Sequence, residues 1–424
     1  MTVGAVTSHR VGIRNRHGYE SPEAGKRHGM NYAVRLPTVC ILLSIPTVSM
    51  HKKQARSAIN PGVHAFPRFV TEQIQERFIV SESPANPPSA QAMFNPFAGH
   101  RFFIVGGAGF IGSHFVDRLL SPGAPAEAVT IYDNFSSGRP WHFEHHAQDP
   151  RLSVVCGEVS QLQSLTNAMV DHDVVIHLAS NPDIARAATE PEVDFYQGTL
   201  LTNNVVEAMR RNGTASLLYA SGSGVYGELG SRPVAENDGP FLPVSTYGAS
   251  KLAGEALIAS YCAMFGLRAR AFRFANVVGP RQTHGVGFDF LRRLYRNPAT
   301  LRILGDGRQS KSYIHVQDVI DAVLLAWRES LDPSTLAFQV FNVSTPDAIT
   351  VEQIAGAAVD CLGLQQQPVY EFTGGSRGWK GDVPVVRLNS DRIRSIGWAS
   401  QLSSLQAVQS AMASMLAEER VLHG

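Results

Sequence analysis

From residue 102 the chain alternates between two kinds of hydrophobic pattern. Residues 102–107 form a short apolar run ending in glycines, and 110–120 carry a helical period. Residues 128–133, 152–157, 173–179, 216–221 and 268–275 are further compact apolar runs, of the kind buried strands show. Helical patterns at 161–170, 192–211 and 246–265 separate them. Strands alternating with helices predict βαβ crossovers, hence an α/β fold: a Rossmann-type doubly wound parallel sheet. Beyond residue 279 the alternation loosens. Helices at 288–295 and 317–327, short apolar runs at 301–304 and 339–343, and two late helices predict a smaller C-terminal α/β substrate lobe.

The first 92 residues behave differently, with no sustained period and no acidic residue before Glu20. They are read as a disordered extension, with an organellar transit peptide as the alternative. The expected organisation is therefore an extension at 1–92, a dinucleotide-binding domain at 93–278, and a mainly substrate-binding lobe at 279–424, with segments able to return to the first domain. The apolar run at 39–48 is too short to span a bilayer and is broken by Pro46. A net charge of +1 gives no reason to expect nucleic acid or an anionic membrane as partner. The four cysteines, Cys40, Cys156, Cys262 and Cys361, lack CxxC spacing and are expected as reduced thiols of a cytoplasmic protein. His142, His145 and His146 cluster near Glu144, but their spacing supplies no tetrahedral set, so an exposed loop and no metal is expected.

The glycine pattern at 106–112 follows a strand and opens a helix. Gly106, Gly109 and Gly112 let the backbone approach a pyrophosphate, and the amides of Phe110, Ile111 and Gly112 offer the positive end of the helix. Asp133, at the end of the second strand and followed by Asn134, is placed to accept from both ribose hydroxyls. Its charge also repels a 2′-phosphate, which favours NAD over NADP. Tyr247 and Lys251 stand one helical turn apart, so the ammonium is expected to lower the phenol's pKa and ready it for proton exchange with a substrate hydroxyl.

These residues sit within longer strings: GGAGFIGSH at 106–114, YDNFSSG at 132–138, HLAS at 177–180, VYG at 225–227 and YGASKLAGE at 247–255. RFANVVGPR at 273–281, GDGRQSKSYIHVQDV at 305–319 and GDV at 381–383 extend the set. In all of them the chain resembles the NAD-dependent epimerase/dehydratase family of extended short-chain dehydrogenases/reductases, in its UDP-glucose 4-epimerase-like branch. The resemblance implies an enzyme with tightly bound NAD that oxidises a UDP-hexose at C4 and reduces it again on the other face, and a homodimer built on helices including 246–265. It implies Tyr247 as acid/base and Lys251 as the residue that holds the nicotinamide ribose. Asn276, Lys311 and Arg377 are implied on the nucleotide diphosphate. Trp379 either stacks on the base or packs. The family's Ser or Thr four residues before the Tyr of VYG is Gly222 here, and Ser223, or else Ser221, is expected to take its place. An Asp usual in the adenine stretch is missing, with Glu158 as its stand-in. Lys311 replaces an arginine. Dehydratases of the family carry an acidic pair where Ser223 and Gly224 stand, and decarboxylases a Glu at the position of Gly224, which makes those activities the alternatives. A non-catalytic NAD-binding regulator is the alternative from another class.

Overall fold

The computed structural model describes residues 97–122 and 126–418. The expectations for 1–92 and for Cys40 lie outside the described residues. Strand β1 (Arg101–Val105) is buried along Phe102–Val105, as a strand covered on both faces must be. It is followed by helix α1 (Phe110–Leu120), β2 (Ala128–Asp133), β3 (Leu152–Cys156), α2 (Leu162–Ala168) and β4 (Val174–His177). Next come α3 (Leu200–Asn212), β5 (Ser216–Gly222), α4 (Thr246–Phe265) and β6 (Arg268–Phe274). The predicted helix over 192–211 departs from expectation at its start. Phe195–Thr199 winds as a π turn, and Gly198 backs onto Ser250, whose Oγ would lie 2.6 Å from any Cβ there.

The later chain forms β7 (Asn276–Val278), α5 (Val286–Arg296), β8 (Thr300–Ile303), β9 (Ser310–Lys311), β10 (Tyr313–His315) and α6 (Val316–Glu329). It continues through β11 (Phe338–Val343), β12 (Ile349–Thr350), α7 (Val351–Cys361), β13 (Val369–Phe372), α8 (Asp391–Ser395) and α9 (Ser404–Ala417). Three helices therefore follow β12 where two were expected, α8 being a single short turn.

Seven parallel strands form the sheet in the order β11-β6-β5-β4-β1-β2-β3. The winding direction reverses between β1 and β4, which opens a crevice at their carboxyl ends. Alternate side chains of β1 feed two cores. Phe102 and Ile104 join Phe115, Ile131, Phe272 and Trp327 on one face, while Phe103 and Val105 join Tyr132, Val175, Leu217 and Ile258 on the other. Packing begins ahead of the strand, because the Phe97 ring stacks on Trp327 at 5.5 Å. A third core, built from α5, β8, α7 and α9 around Leu291, Ile303, Ile354 and Met412, belongs to the C-terminal lobe. Two segments beyond Gly279 belong instead to the sheet: β11 extends it beside β6, and α6 packs against α1. No helix among the described residues is long and apolar enough to cross a membrane.

Candidate active site

A cleft of about 1530 Å³ runs along the carboxyl ends of the strands, between the sheet and the lobe. Gly106, Gly109, Phe110, Ile111 and Gly112 line its first wall. Gly106 has φ +86°, and a Cβ on it would meet the Ala179 amide nitrogen at 2.8 Å. A Cβ on Gly112 would lie 2.4 Å from the Gly106 carbonyl oxygen. Only glycine permits this turn. Gly109 caps α1 without a side chain, and the first turn holds no acid, so its amides stay available to an anion.

Asp133 is buried at the end of β2. One carboxylate oxygen accepts from the Ala108 amide at 3.0 Å and the other from the Phe135 amide at 2.8 Å. Burial pushes its pKa up, against these two donors. The residue thus shapes the turn and still borders the cleft. Beside it Asn134 donates to both carboxylate oxygens of Glu158, at 3.3 and 3.2 Å. The cleft-lining residues from 132 to 160 include no Lys or Arg. An uncapped helix start, a turn that excludes side chains, and an acidic, base-free far end fit a dinucleotide whose ribose lacks a 2′-phosphate.

The second wall is β5 and α4. Ser245 caps α4 by accepting from the Gly248 amide, which sets Tyr247 on the first turn. Tyr247 and Lys251 both line the cleft. The Lys251 ammonium lies 5.5 Å from the Tyr247 ring centroid and 5.3 Å from that of Tyr219, and donates to the Ala220 carbonyl at 2.8 Å. Burial draws its pKa down to about 8, opposed by the charge of Asp194. Burial also raises the Tyr247 pKa, with a hydrogen bond from Ser180 working against it. The net shift of the phenol is therefore upward in this arrangement, where a lowering by Lys251 was expected.

Ser221 and Ser223 differ clearly. Ser221 is buried and donates to Glu255 at 2.6 Å, and Glu255 is held by Arg273 at 2.9 and 2.6 Å. Arg273 in turn lies over the rings of Tyr226 and Phe241, 4.7 and 4.5 Å from their centroids, and those two rings meet edge-on at 5.6 Å. Ser223 has no such tie to this network and borders the cleft at the start of a 3₁₀ turn. Between them, Gly222 is extended, and a Cβ there would meet nothing within 4 Å.

On the lobe side Asn276, Lys311, Trp379 and Asp382 line the cleft. Lys311 pairs with Asp382 at 2.5 Å. Arg377 does not line it: its guanidinium pairs with Glu228 and donates to the Asp382 carbonyl. The pattern of residues missed Ser180 and Asp194. Ser180 lay within the HLAS string, a usable signal. Asp194 is buried and accepts from Asn181 and Thr246, at 2.9 and 2.6 Å, and no local motif marks it.

The profile of the NAD dependent epimerase/dehydratase family matches residues 102–343. A UDP-glucose 4-epimerase of Mycolicibacterium smegmatis is 30% identical over 316 residues, 73% of this chain and 96% of that protein. The crystal structure of a UDP-galactose 4-epimerase aligns with a TM-score of 0.66 at 36% identity, covering 75% of this chain and 99% of that one. The UDP-glucose 4-epimerase of Thermus thermophilus, crystallised with NAD, aligns with a TM-score of 0.65 at 26% identity, over 74% of this chain and 99% of its own. The matched span contains the glycine turn, Asp133, Tyr247 and Lys251, and the sheet has the architecture of these structures: this chain belongs to the NAD dependent epimerase/dehydratase family.

Proposed function

We propose that the protein is a nucleotide-sugar 4-epimerase that interconverts UDP-glucose and UDP-galactose on tightly held NAD in the cytoplasm. The observation that carries this reading is the pairing of Tyr247 and Lys251 beside the dinucleotide turn, with Ser223 and Gly224 where an eliminating enzyme needs acids.

Bound NAD supplies a hydride acceptor that becomes a donor within the same cycle. The chain's task is to manage the proton and the sugar. Tyr247 takes the C4 hydroxyl proton as C4 is oxidised, and returns it to the oxygen once the 4-keto sugar has turned its other face. Lys251 holds the nicotinamide ribose and keeps positive charge beside the phenol, supported by Asp194. Ser223 hydrogen-bonds the reacting oxygen, since Ser221 is committed to Glu255. Lys311 and Asn276 meet the diphosphate, while Arg377 acts from the rim. Epimerisation needs one acid/base and no net oxidant. Dehydration or decarboxylation would need a further carboxyl group at 223 or 224, which the chain lacks.

The subunit also pairs with a second copy along α4. Met264 and Phe265 at its end are 70% and 45% exposed, and Phe195 and Tyr196, near its start, 54% and 56%.

The test is to give purified protein UDP-glucose or UDP-galactose with no added NAD. Both should approach one equilibrium mixture. Accumulation of a 4-keto-6-deoxy sugar, seen by mass, would sink the epimerase reading.

A further inference from the structure

The geometry points to a divalent transition-metal site of the zinc type, formed by Asp117, His145 and His146. None of the three lines the cleft, and the proposal stands apart from the sugar chemistry. Asp117 lies near the C-terminal end of α1. His145 and His146 belong to a one-turn 3₁₀ helix, Glu144–His146, in the connection between β2 and β3. Spacing along the chain concealed the set, because its third member comes from a different element.

The Nε2 atoms of His145 and His146 lie 2.7 and 2.8 Å from the same carboxylate oxygen of Asp117. One candidate ligand atom from each residue falls within 4.8 Å of the others, and the two rings are 4.1 Å apart. A neutral imidazole carries one proton for two nitrogens. Converging on a single oxygen is favourable only if both rings place a proton on Nε2 or if a cation sits among the three atoms. One ion satisfies all three lone pairs at once. Zinc takes imidazole nitrogen at ~2.0–2.1 Å and carboxylate oxygen at ~2.0–2.2 Å, so the ligand atoms need only part slightly to admit it.

The surroundings suit an ion. Arg281 donates to the other oxygen of Asp117 at 2.6 Å, which fixes the carboxylate plane and leaves the histidine-facing oxygen free to coordinate. The His145 side chain is 47% exposed, which opens a fourth position to water. Two nitrogens, one oxygen and water are a donor set that suits zinc, cobalt or nickel better than calcium or magnesium. His142, three residues earlier, takes no part: it is buried, with Nδ1 2.8 Å from the Ala108 carbonyl oxygen.

Bound there, the ion would tie the β2–β3 connection to α1, the helix whose other end faces the cofactor. The test uses the full chain stripped with chelator. It is titrated with ZnCl2 by calorimetry and with CoCl2 by visible absorption, alongside His145→Ala and Asp117→Asn. His145→Ala is the safer variant because its ring is half exposed, and circular dichroism checks both folds. Because a chain with 15 histidines takes up some metal nonspecifically in such a titration, the readout is a difference between proteins. The wild type should take one more equivalent than either variant, and zinc should raise its Tm but not theirs. Equal stoichiometry, affinity and Tm response in wild type and in a folded His145→Ala protein would overturn the site.

Discussion

The two walls of the cleft are built by different means. The cofactor wall is backbone: glycines at 106 and 112 with no room for a Cβ, amides at the start of α1, and one buried carboxylate fixed by two amides. The lobe side is long side chains in ion pairs, Lys311 with Asp382 on the cleft itself and Arg377 with Glu228 outside its lining. A backbone wall has one shape and tolerates no substitution. A wall of paired charges is held by its own partners until a diphosphate competes for them. Substitutions at the glycines of the first should therefore act nearly all-or-none on NAD, whereas Asp133→Ala and substitutions on the lobe side should be graded, the latter read out in KM.

Tyr247→Phe should have the largest effect. It removes the proposed proton-transfer group and should lower kcat by ~10²–10⁴-fold while NAD remains bound. Absorbance and mass spectrometry of released cofactor check the second half. A loss of NAD would move Tyr247 from chemistry to cofactor support. Asp133→Ala comes next: losing a charged acceptor for the ribose diol should cost about 1.5–3 kcal/mol of NAD affinity and relax discrimination against NADP. Unchanged affinity would leave Asp133 only its ties to Ala108 and Phe135.

Lys311→Ala should raise KM for the UDP-sugar by about tenfold, the equivalent of one charged hydrogen bond, with kcat little altered. Arg377→Ala, on the rim and partly exposed, should change KM by less than about threefold. If Arg377→Ala proves the more damaging, the guanidinium leaves Glu228 and enters the cleft when substrate binds. Smallest, and most informative about the departure from the family, is the serine comparison. Ser223→Ala should slow turnover more than Ser221→Ala at equal protein stability. Gly222→Ser should be tolerated, because a Cβ there meets nothing within 4 Å. Equal rates for both alanine variants would remove Ser223 from the reacting oxygen.

What could be read along the chain follows the same division. The turn, Asp133 and the Tyr247–Lys251 pair are local patterns of a few residues, and glycine and helical spacing carry geometry directly. The alternating apolar runs likewise marked β1 to β6, whereas the run at 339–343 was placed with the lobe and, as β11, extends the sheet beside β6. What escaped depends on partners far apart in sequence. Asp194 reaches Thr246, Lys311 finds Asp382, Arg377 turns to Glu228, and Asp117 gathers His145 and His146. The π turn at Phe195–Thr199 escaped because its residues keep a helical period, and a tertiary contact at Gly198 decides the winding. The pKa of Tyr247 escaped too: spacing shows the ammonium nearby but not how deeply the phenol is buried.

The most direct test of the central claim, that one acid/base and resident NAD move a hydride away from C4 and back, is isotopic. UDP-glucose deuterated at C4 is incubated with the purified protein, no NAD is added, and the UDP-galactose formed is examined by NMR and mass spectrometry. The account predicts that the deuterium remains at C4 of the product, with no exchange into water and none at C5 or C6. Deuterium lost to solvent, or found on another carbon of the sugar, would contradict it.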